Sequence, residues 1–279
     1  VSGGGRVTVA GVDAGRSDVA ADVPVPSPPF WGSRVVRGVP IGEIAELLNL
    51  TALYRTQWGF GREDKEAAQA ALRATLDLVR AESLLLPQVA YGYFSCASDG
   101  QELIVYEAPD RDEVAMRLSF PRQSQGRRLC IADFFRPLDS GERDVVAFHC
   151  VTMGPRVGER AAELFAEDRY TDYLYLHGVG VEMAEALAEY WHRRIRQELG
   201  IADADAATPA GLFKQGYQGS RYSFGYAACP DLEAQKPLAE LLDIERIGVT
   251  VSEEFQLHPE QSTSALIVHH PEAKYFNAR

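Results

Sequence analysis

Three short segments constrain the fold most. Val89-Ala-Tyr-Gly-Tyr-Phe94, Glu102-Leu-Ile-Val-Tyr106 and Ala115-Met-Arg-Leu-Ser-Phe120 alternate apolar with polar residues and are separated by turn-rich stretches. A period of two is the mark of strands with one face in a core, and this succession points to an antiparallel meander. Asp144-Val-Val-Ala-Phe-His-Cys-Val-Thr152 is a further strand, buried because its apolar run is almost unbroken. Residues 247–251, 254–257 and 264–269 read as strands as well. Elsewhere the period is helical. Met183, Leu187, Trp191 and Ile195 recur every four residues with Ala184 and Ala188 beside them, one apolar stripe. Residues 62–85 are alanine-rich and charged on one face, residues 40–48 open with a proline in the first helical turn, and residues 237–242 make a short helix. The expected fold class is α+β, an antiparallel β-sheet flanked by helices.

Within that frame the densest stretch is Tyr217-Gln-Gly-Ser-Arg221-Tyr-Ser-Phe-Gly225-Tyr226-Ala227-Ala228-Cys229-Pro230. Gly219 and Gly225 allow backbone conformations closed to other residues and let a ligand approach the main chain. Arg221 offers a planar fork suited to a carboxylate. Tyr222, Phe224 and Tyr226 alternate, so an extended segment would set all three rings on one face. Two readings stand: a cradle for a ligand with a carboxylate at one end and a flat ring at the other, or a glycine-rich turn leading into an aromatic core strand.

Composition narrows the partners. Lys plus Arg number 28 against 40 Asp plus Glu, a net charge of −12, which argues against nucleic acid. No apolar run reaches the length of a membrane span, and no signal peptide opens the chain. Cys96, Cys130, Cys150 and Cys229 are widely spaced without a Cys-x-x-Cys pair, so free thiols in a reducing cytoplasm are expected. Hydrophobic residues make up 46% of the 279, ample for a core. The chain opens Val1-Ser-Gly-Gly-Gly without an initiator methionine and reads as part of something longer. Residues 1–29, with Asp22-Val-Pro-Val-Pro-Ser-Pro-Pro29, read as an extended connector or a frayed terminus.

Several motifs fail on inspection. Gly178-Val-Gly180 lacks the third glycine of a dinucleotide fingerprint and follows helical sequence. Glu185, Glu189 and His192 share a helix face at i, i+4, i+7. Glu189-Tyr-Trp-His192 is half of a di-iron carboxylate motif, but no second Glu-x-x-His occurs, so no metal site is assigned. There is no nucleophile elbow, and the histidines show no ligand spacing.

Arg221-Tyr-Ser-Phe-Gly225-Tyr226-Ala-Ala-Cys229-Pro230 resembles the Arg-x-x-x-Gly-Tyr-x-Ala-Cys-Pro signature of the S-adenosylmethionine-binding reactivation domain of cobalamin-dependent methionine synthases. Val251-Ser-Glu-Glu-Phe255, His270-Pro271 and Lys274-Tyr275-Phe276 are similar to that family's C-terminal segments in the same order. Cys130-Ile-Ala-Asp133-Phe134 and the run Ala184-Glu-Ala-Leu-Ala-Glu-Tyr-Trp-His192 fit upstream, so the resemblance covers about residues 28–279. It implies that Arg221 takes the methionine carboxylate. The main chain of Gly225, Tyr226, Ala227 and Ala228, with the Tyr226 ring, would hold the adenosine. Glu185, Tyr275 and Phe276 would complete the pocket. Asn49 stands where the family carries an aspartate at the ligand, and it also reads as a helix N-cap.

The same resemblance implies a domain organisation and a function. Residues 1–29 would be a linker from an upstream cobalamin-binding domain, and residues 30–279 the activation domain. The domain would supply the methyl group for reductive reactivation of cob(II)alamin, with no catalytic residue of its own, and would belong to a methyltransferase that it cannot replace alone. Its partners would be the cobalamin domain and flavodoxin or an equivalent electron donor. Arg122, Arg127, Arg128, Arg193, Arg194 and Arg196 are candidates for meeting that donor, and zinc would sit only in an absent homocysteine domain. A non-catalytic S-adenosylmethionine-sensing module is the alternative, and a metal-dependent oxidase built on Glu189 and His192 a third.

Overall fold

The structure is a computed structural model, and it describes residues 15–278. The strands are β1 (Gly32–Arg37), β2 (Gln88–Asp99), β3 (Glu102–Tyr106), β4 (Val114–Ser119), β5 (Asp144–Thr152), β6 (Ser220–Ser223), β7 (Thr250–Val251), β8 (Leu257–His258) and β9 (Ser262–Val268). The α-helices are α1 (Ile41–Ala45), α2 (Lys65–Ala81), α3 (Arg156–Ala166), α4 (Tyr170–Glu198), α5 (Pro209–Leu212) and α6 (Gln235–Leu242).

Seven strands form one antiparallel sheet in the order β4-β3-β2-β5-β9-β6, with β1 also paired to β2. The meander appears as β2-β3-β4, with a tight turn between β2 and β3 and a seven-residue loop, residues 107–113, between β3 and β4. β2 is long enough to be shared: residues 88–93 pair with β1 and residues 96–99 with β3. β5 lies between β2 and β9 and is buried along its whole length, as its apolar run requires.

Alternation gives the sheet two dry faces. Phe94, Cys96, Phe148, Cys150, Tyr222, Leu266 and Val268 point into one core, closed by residues 130–135 and by α6. Tyr91, Tyr93, Val145, Ala147, Val151 and Ile267 point into the other, where α4 lies across the sheet. The stripe Met183, Leu187, Trp191 and Ile195 is the buried seam of α4. At 29 residues this helix runs about 44 Å, enough to cross the sheet and carry more than one contact region.

Gly178-Val-Gly180 lies inside α4 and serves packing. A Cβ on Gly178 would fall 2.6 Å from Trp58 Nε1, so the missing side chain is what lets residues 57–58 reach the helix. Some expected strands shrink. Residues 244–247 form a 3-10 turn ending at Gly248 with φ +71°, so pairing begins only at Thr250. Phe255 at φ +61° breaks the second stretch, leaving Leu257–His258.

The described part of the expected connector is docked. Arg16 Nη2 donates to the carbonyl of Phe135 at 2.7 Å, and the Ser17 N–H donates to Asp133 Oδ2 at 3.0 Å. His270 Nε2 lies 2.9 Å from the Ala20 carbonyl, and Arg136 Nη2 donates to the Val23 carbonyl at 3.2 Å. Residues 1–14 of the connector lie outside the described residues.

Candidate functional site

The site is built on β6, a four-residue strand at the edge of the sheet. Among the described residues it pairs only with β9, from Ser220 opposite Val268 to Ser223 opposite Ala265. Because the side-chain period is two, Arg221 and Ser223 face α4 while Tyr222 and Phe224 enter the opposite core. The strand then stops. Gly225 has φ +87°, its N–H donates to the Cys229 carbonyl at 2.8 Å, and the Cys229 N–H returns to the Tyr226 carbonyl at 2.9 Å. This tight loop sends Tyr226 outward, 58% exposed, while Ala227 is half-buried and Ala228 sits in the core. The three rings therefore do not share a face. The turn at Gly225 separates Tyr226 from the other two.

Arg221 is the polar centre. Its side chain is 19% exposed, and Nη2 lies 3.5 Å from Oε2 of Glu185, which is 48% exposed on α4. Nη1 is buried without a hydrogen-bond partner. A guanidinium with one loosely held edge at the surface can accept a carboxylate in the place of Glu185.

β9 continues past the last β6 pair, so its residues 262–264 are not covered by β6. A cleft of about 400 Å³ opens there, lined by Ser223, Phe224, Tyr226, Leu257, Glu260 and Ser264 among others. Ser223 belongs both to this cleft and to the Arg221 face of β6. Arg221 does not line this cleft, whose walls include Gln235 of α6, and Ser223 is the β6 residue that joins its edge to the Arg221 side.

The other expected residues separate. Tyr275 is 46% exposed, and its N–H donates to Gln215 Oε1 at 2.7 Å, which sets it beside the segment entering β6. Phe276 is buried among Tyr222 and Phe134, with ring centroids 6.0 and 6.4 Å away, inside the core beneath the sheet. Asn49 is exposed, and its Oδ1 accepts the Ala52 N–H at 3.1 Å, capping the π-helical turn at residues 52–57.

Two of the surface arginines are not at the surface. Arg122 is buried against Asp133, with Nη2 donating to Oδ1 at 2.8 Å. Arg196 is buried against Asp205 by two bonds of 2.9 and 2.8 Å. Both are internal ion pairs, which corrects their assignment to a docking face. Arg127 and Arg194 are exposed but paired, with Asp18 and Glu272 and with Glu198 respectively. Arg193 is exposed and Arg128 half-buried.

Sequence reasoning missed how deep the polar stripe of α4 goes. Glu189 and His192 are buried, as is His149 on β5. Burial pushes both imidazoles well below their ordinary pKa, with Arg221 adding to the effect, so both are neutral. Burial also raises the Glu189 carboxyl, against the opposing pull of Arg221 and Arg196. A lone histidine inside the otherwise apolar β5 was the available signal. Among the described residues no group of three or more His, Cys, Asp or Glu is placed to hold a metal ion. No described helix is long and apolar enough to cross a membrane.

Taken together, a two-faced antiparallel sheet, a long helix across it and an arginine-glycine-tyrosine edge strand define an α+β domain with a candidate small-molecule site at the sheet edge. The chain belongs to the family described as vitamin B12 dependent methionine synthase, activation domain, whose profile matches residues 53–279. It is 49% identical to methionine synthase of Mycobacterium tuberculosis and 47% identical to that of Mycobacterium leprae. Each alignment covers 94% of this chain and 24% of the relative, so the chain spans about a quarter of their length. Its fold is similar to the crystal structure of the MetH reactivation domain bound to AdoHcy, with a TM-score of 0.84 and 26% identity, over 91% of this chain and 83% of that one.

Proposed function

We propose that this domain binds S-adenosylmethionine along the β6 edge and presents its methyl group for the reductive reactivation of cobalamin in a methionine synthase. The observation that carries the reading is the Arg221–Glu185 pair at the head of the Gly225-Tyr226 edge. A zwitterionic amino-acid end needs one group for its carboxylate and one for its ammonium, and these two side chains are that set. The uncovered stretch beside Tyr226 suits the flat ring at the other end of the ligand. The bound AdoHcy of the similar reactivation domain supports the same ligand class.

A methyl group on a sulfonium is already activated, so its transfer needs placement and exclusion of competitors, and no general base. Cobalamin, held by another part of the polypeptide, would supply the nucleophile. What this chain contributes is position: Arg221 fixes one end of the ligand, Glu185 its ammonium and the 225–228 loop the adenosine. Residues 1–29 would lead in from the cobalamin-binding domain, and Arg193 remains a candidate contact for an acidic electron donor such as flavodoxin.

Calorimetric titration of the purified chain with S-adenosylmethionine and S-adenosylhomocysteine tests the reading. Both are expected to bind saturably, and Arg221→Ala is expected to weaken binding about ten- to a hundredfold, the worth of one charge-assisted contact. A folded Arg221→Ala chain with undiminished affinity would remove Arg221 from the site.

A further inference from the structure

The segment ahead of β1 is fastened by side chains from distant parts of the chain. Asp133 Oδ2 accepts the Ser17 N–H at 3.0 Å and the Ser17 hydroxyl at 2.6 Å, while its Oδ1 takes Arg122. Arg16 donates to the Phe135 carbonyl at 2.7 Å and to the Ser98 hydroxyl at 3.2 Å. Val19 is buried in the core beneath the sheet, and Asp18 pairs with Arg127 at 2.9 Å. Ala20 is held through both of its backbone groups: its carbonyl lies 2.9 Å from His270 Nε2, and its N–H donates to Glu272 Oε1 at 3.4 Å. Arg127 also holds Glu272, at 2.7 Å, so one guanidinium ties residue 18 to residue 272. His270 is the joint. Its Nδ1 accepts the Glu272 N–H at 3.1 Å, which puts the proton of the neutral ring on Nε2, where it is donated to Ala20.

The turn that grips Ala20 leads directly to the strand carrying Arg221. The Tyr222 hydroxyl, next in β6, donates to the Lys274 carbonyl at 2.8 Å. The Lys274 ammonium donates to the carbonyls of Gln215, at 2.9 Å, and of Tyr217. The Tyr275 N–H donates to Gln215 Oε1 at 2.7 Å, and Gln218 Nε2 to the His269 carbonyl at 3.0 Å. Residues 269–275 are therefore hydrogen-bonded on one side to residue 20 and on the other to residues 215–222.

We propose that residues 16–23 form a strap whose seating is coupled to ligand binding at the β6 edge. The seated strap fixes the 270–272 turn, and the segment running on from that turn holds Tyr275 and residues 215–222 in the arrangement that receives the ligand. The inference rests on the ligand reading above and adds its regulation. A rearrangement of the chain ahead of residue 16 that lifts the strap loosens the ligand, and a bound ligand holds the strap down. Such coupling is reciprocal: the factor by which a released strap weakens binding equals the factor by which the ligand suppresses release.

Trypsin cleavage of the Arg16–Ser17 bond, followed by mass spectrometry, reads the released population, because the bond is closed to the protease while Ser17 sits on Asp133. Saturating S-adenosylmethionine should slow this cleavage about five- to twentyfold. Cleavage after Arg111, in the exposed loop between β3 and β4, should keep its rate. Val19→Asp puts a carboxylate into the core and should release the strap, weakening S-adenosylmethionine binding in calorimetry by the same factor. Circular dichroism verifies that the chain is folded. Ser17→Ala, which removes only the hydroxyl bond to Asp133, should move both readouts the same way by less. Lys274→Met cuts the connection beyond the turn: without ligand the strap should stay seated, and the ligand should no longer slow cleavage at Arg16. Folded Val19→Asp and Ser17→Ala chains that bind like the unaltered one overturn the coupling and leave the ligand reading standing. So does cleavage at Arg16 that the ligand does not slow, or slows no more than at Arg111. Failure of the unaltered chain to bind overturns the ligand reading and this inference with it.

Discussion

Tyr226, Tyr275 and Phe276 show how much a single side chain's surroundings decide. In sequence, Tyr275 and Phe276 form an aromatic pair, and nothing local distinguishes them. The structure separates them: Tyr275 is exposed, while Phe276 is packed between Tyr222 and Phe134. Their truncations should therefore read out in different assays. Phe276→Ala removes a core ring and should cost about 3–5 kcal/mol of stability, seen as a fall in the urea midpoint. Tyr226→Ala, at an exposed loop, should leave stability within about 0.5 kcal/mol yet reduce affinity for S-adenosylmethionine about tenfold, since base–aromatic stacking is worth about 1–3 kcal/mol. A Tyr226→Ala chain with full affinity would move the adenosine elsewhere. Arg221 and Gly225 were legible because their chemistry is local: a fork and a positive φ. The burial of Glu189 and His149 was not, because it depends on β5, α4 and β6 meeting, and no stretch of sequence records that.

The same division holds for elements. β2 to β5 and the α4 stripe were legible because each carries a clean period over enough residues to outvote local noise. β1 and β6 were not. β6 has four residues and one partner, and its boundaries are set by Gly219 and Gly225 at positive φ rather than by hydrophobicity. The expected strand at residues 254–257 failed for the converse reason, since an apolar pattern cannot override Phe255 in a left-handed turn. Helix glycines carry a similar lesson. Propensity alone says that Gly178→Ala stabilises α4 by about 1 kcal/mol. Packing says otherwise, because the new methyl would meet Trp58 Nε1 at 2.6 Å and Gln57 Cβ at 3.0 Å. Overpacking of that kind costs about 1–3 kcal/mol and should win. Gly42→Ala in α1 has nothing within 4 Å and serves as the control, expected to stabilise by about 0.5–1 kcal/mol. Urea unfolding of both variants checks the pair, and a stabilised Gly178→Ala chain would mean that the Trp58 contact yields.

For the molecule as a whole, buried titratable groups couple the site to global stability. His149 and His192 are neutral in the fold, chiefly through burial, but take up protons near pH 6.5 once unfolded. Because their folded pKa values lie below the unfolded ones, the unfolded chain binds more protons as pH falls under about 6.5. Each histidine should then remove about 1.4 kcal/mol of stability per pH unit. Glu189 acts with the opposite sign: its raised carboxyl takes up a proton more readily in the fold, so it offsets one histidine wherever it titrates in the same range. Asp133 enters only lower. Burial raises it, but hydrogen bonds from Arg122 and Ser17 outweigh that and hold it below its ordinary value, so its stabilisation is lost only as pH falls through that lowered pKa. The midpoint of urea unfolding should therefore fall between pH 7 and pH 5, with His149, His192 and His270 driving the fall and Glu189 and Glu182 opposing it. His192→Gln should make that fall shallower, and Glu189→Gln should make it steeper. A midpoint that stays level from pH 7 to pH 5 in the Glu189→Gln chain as well would place the imidazoles in contact with solvent.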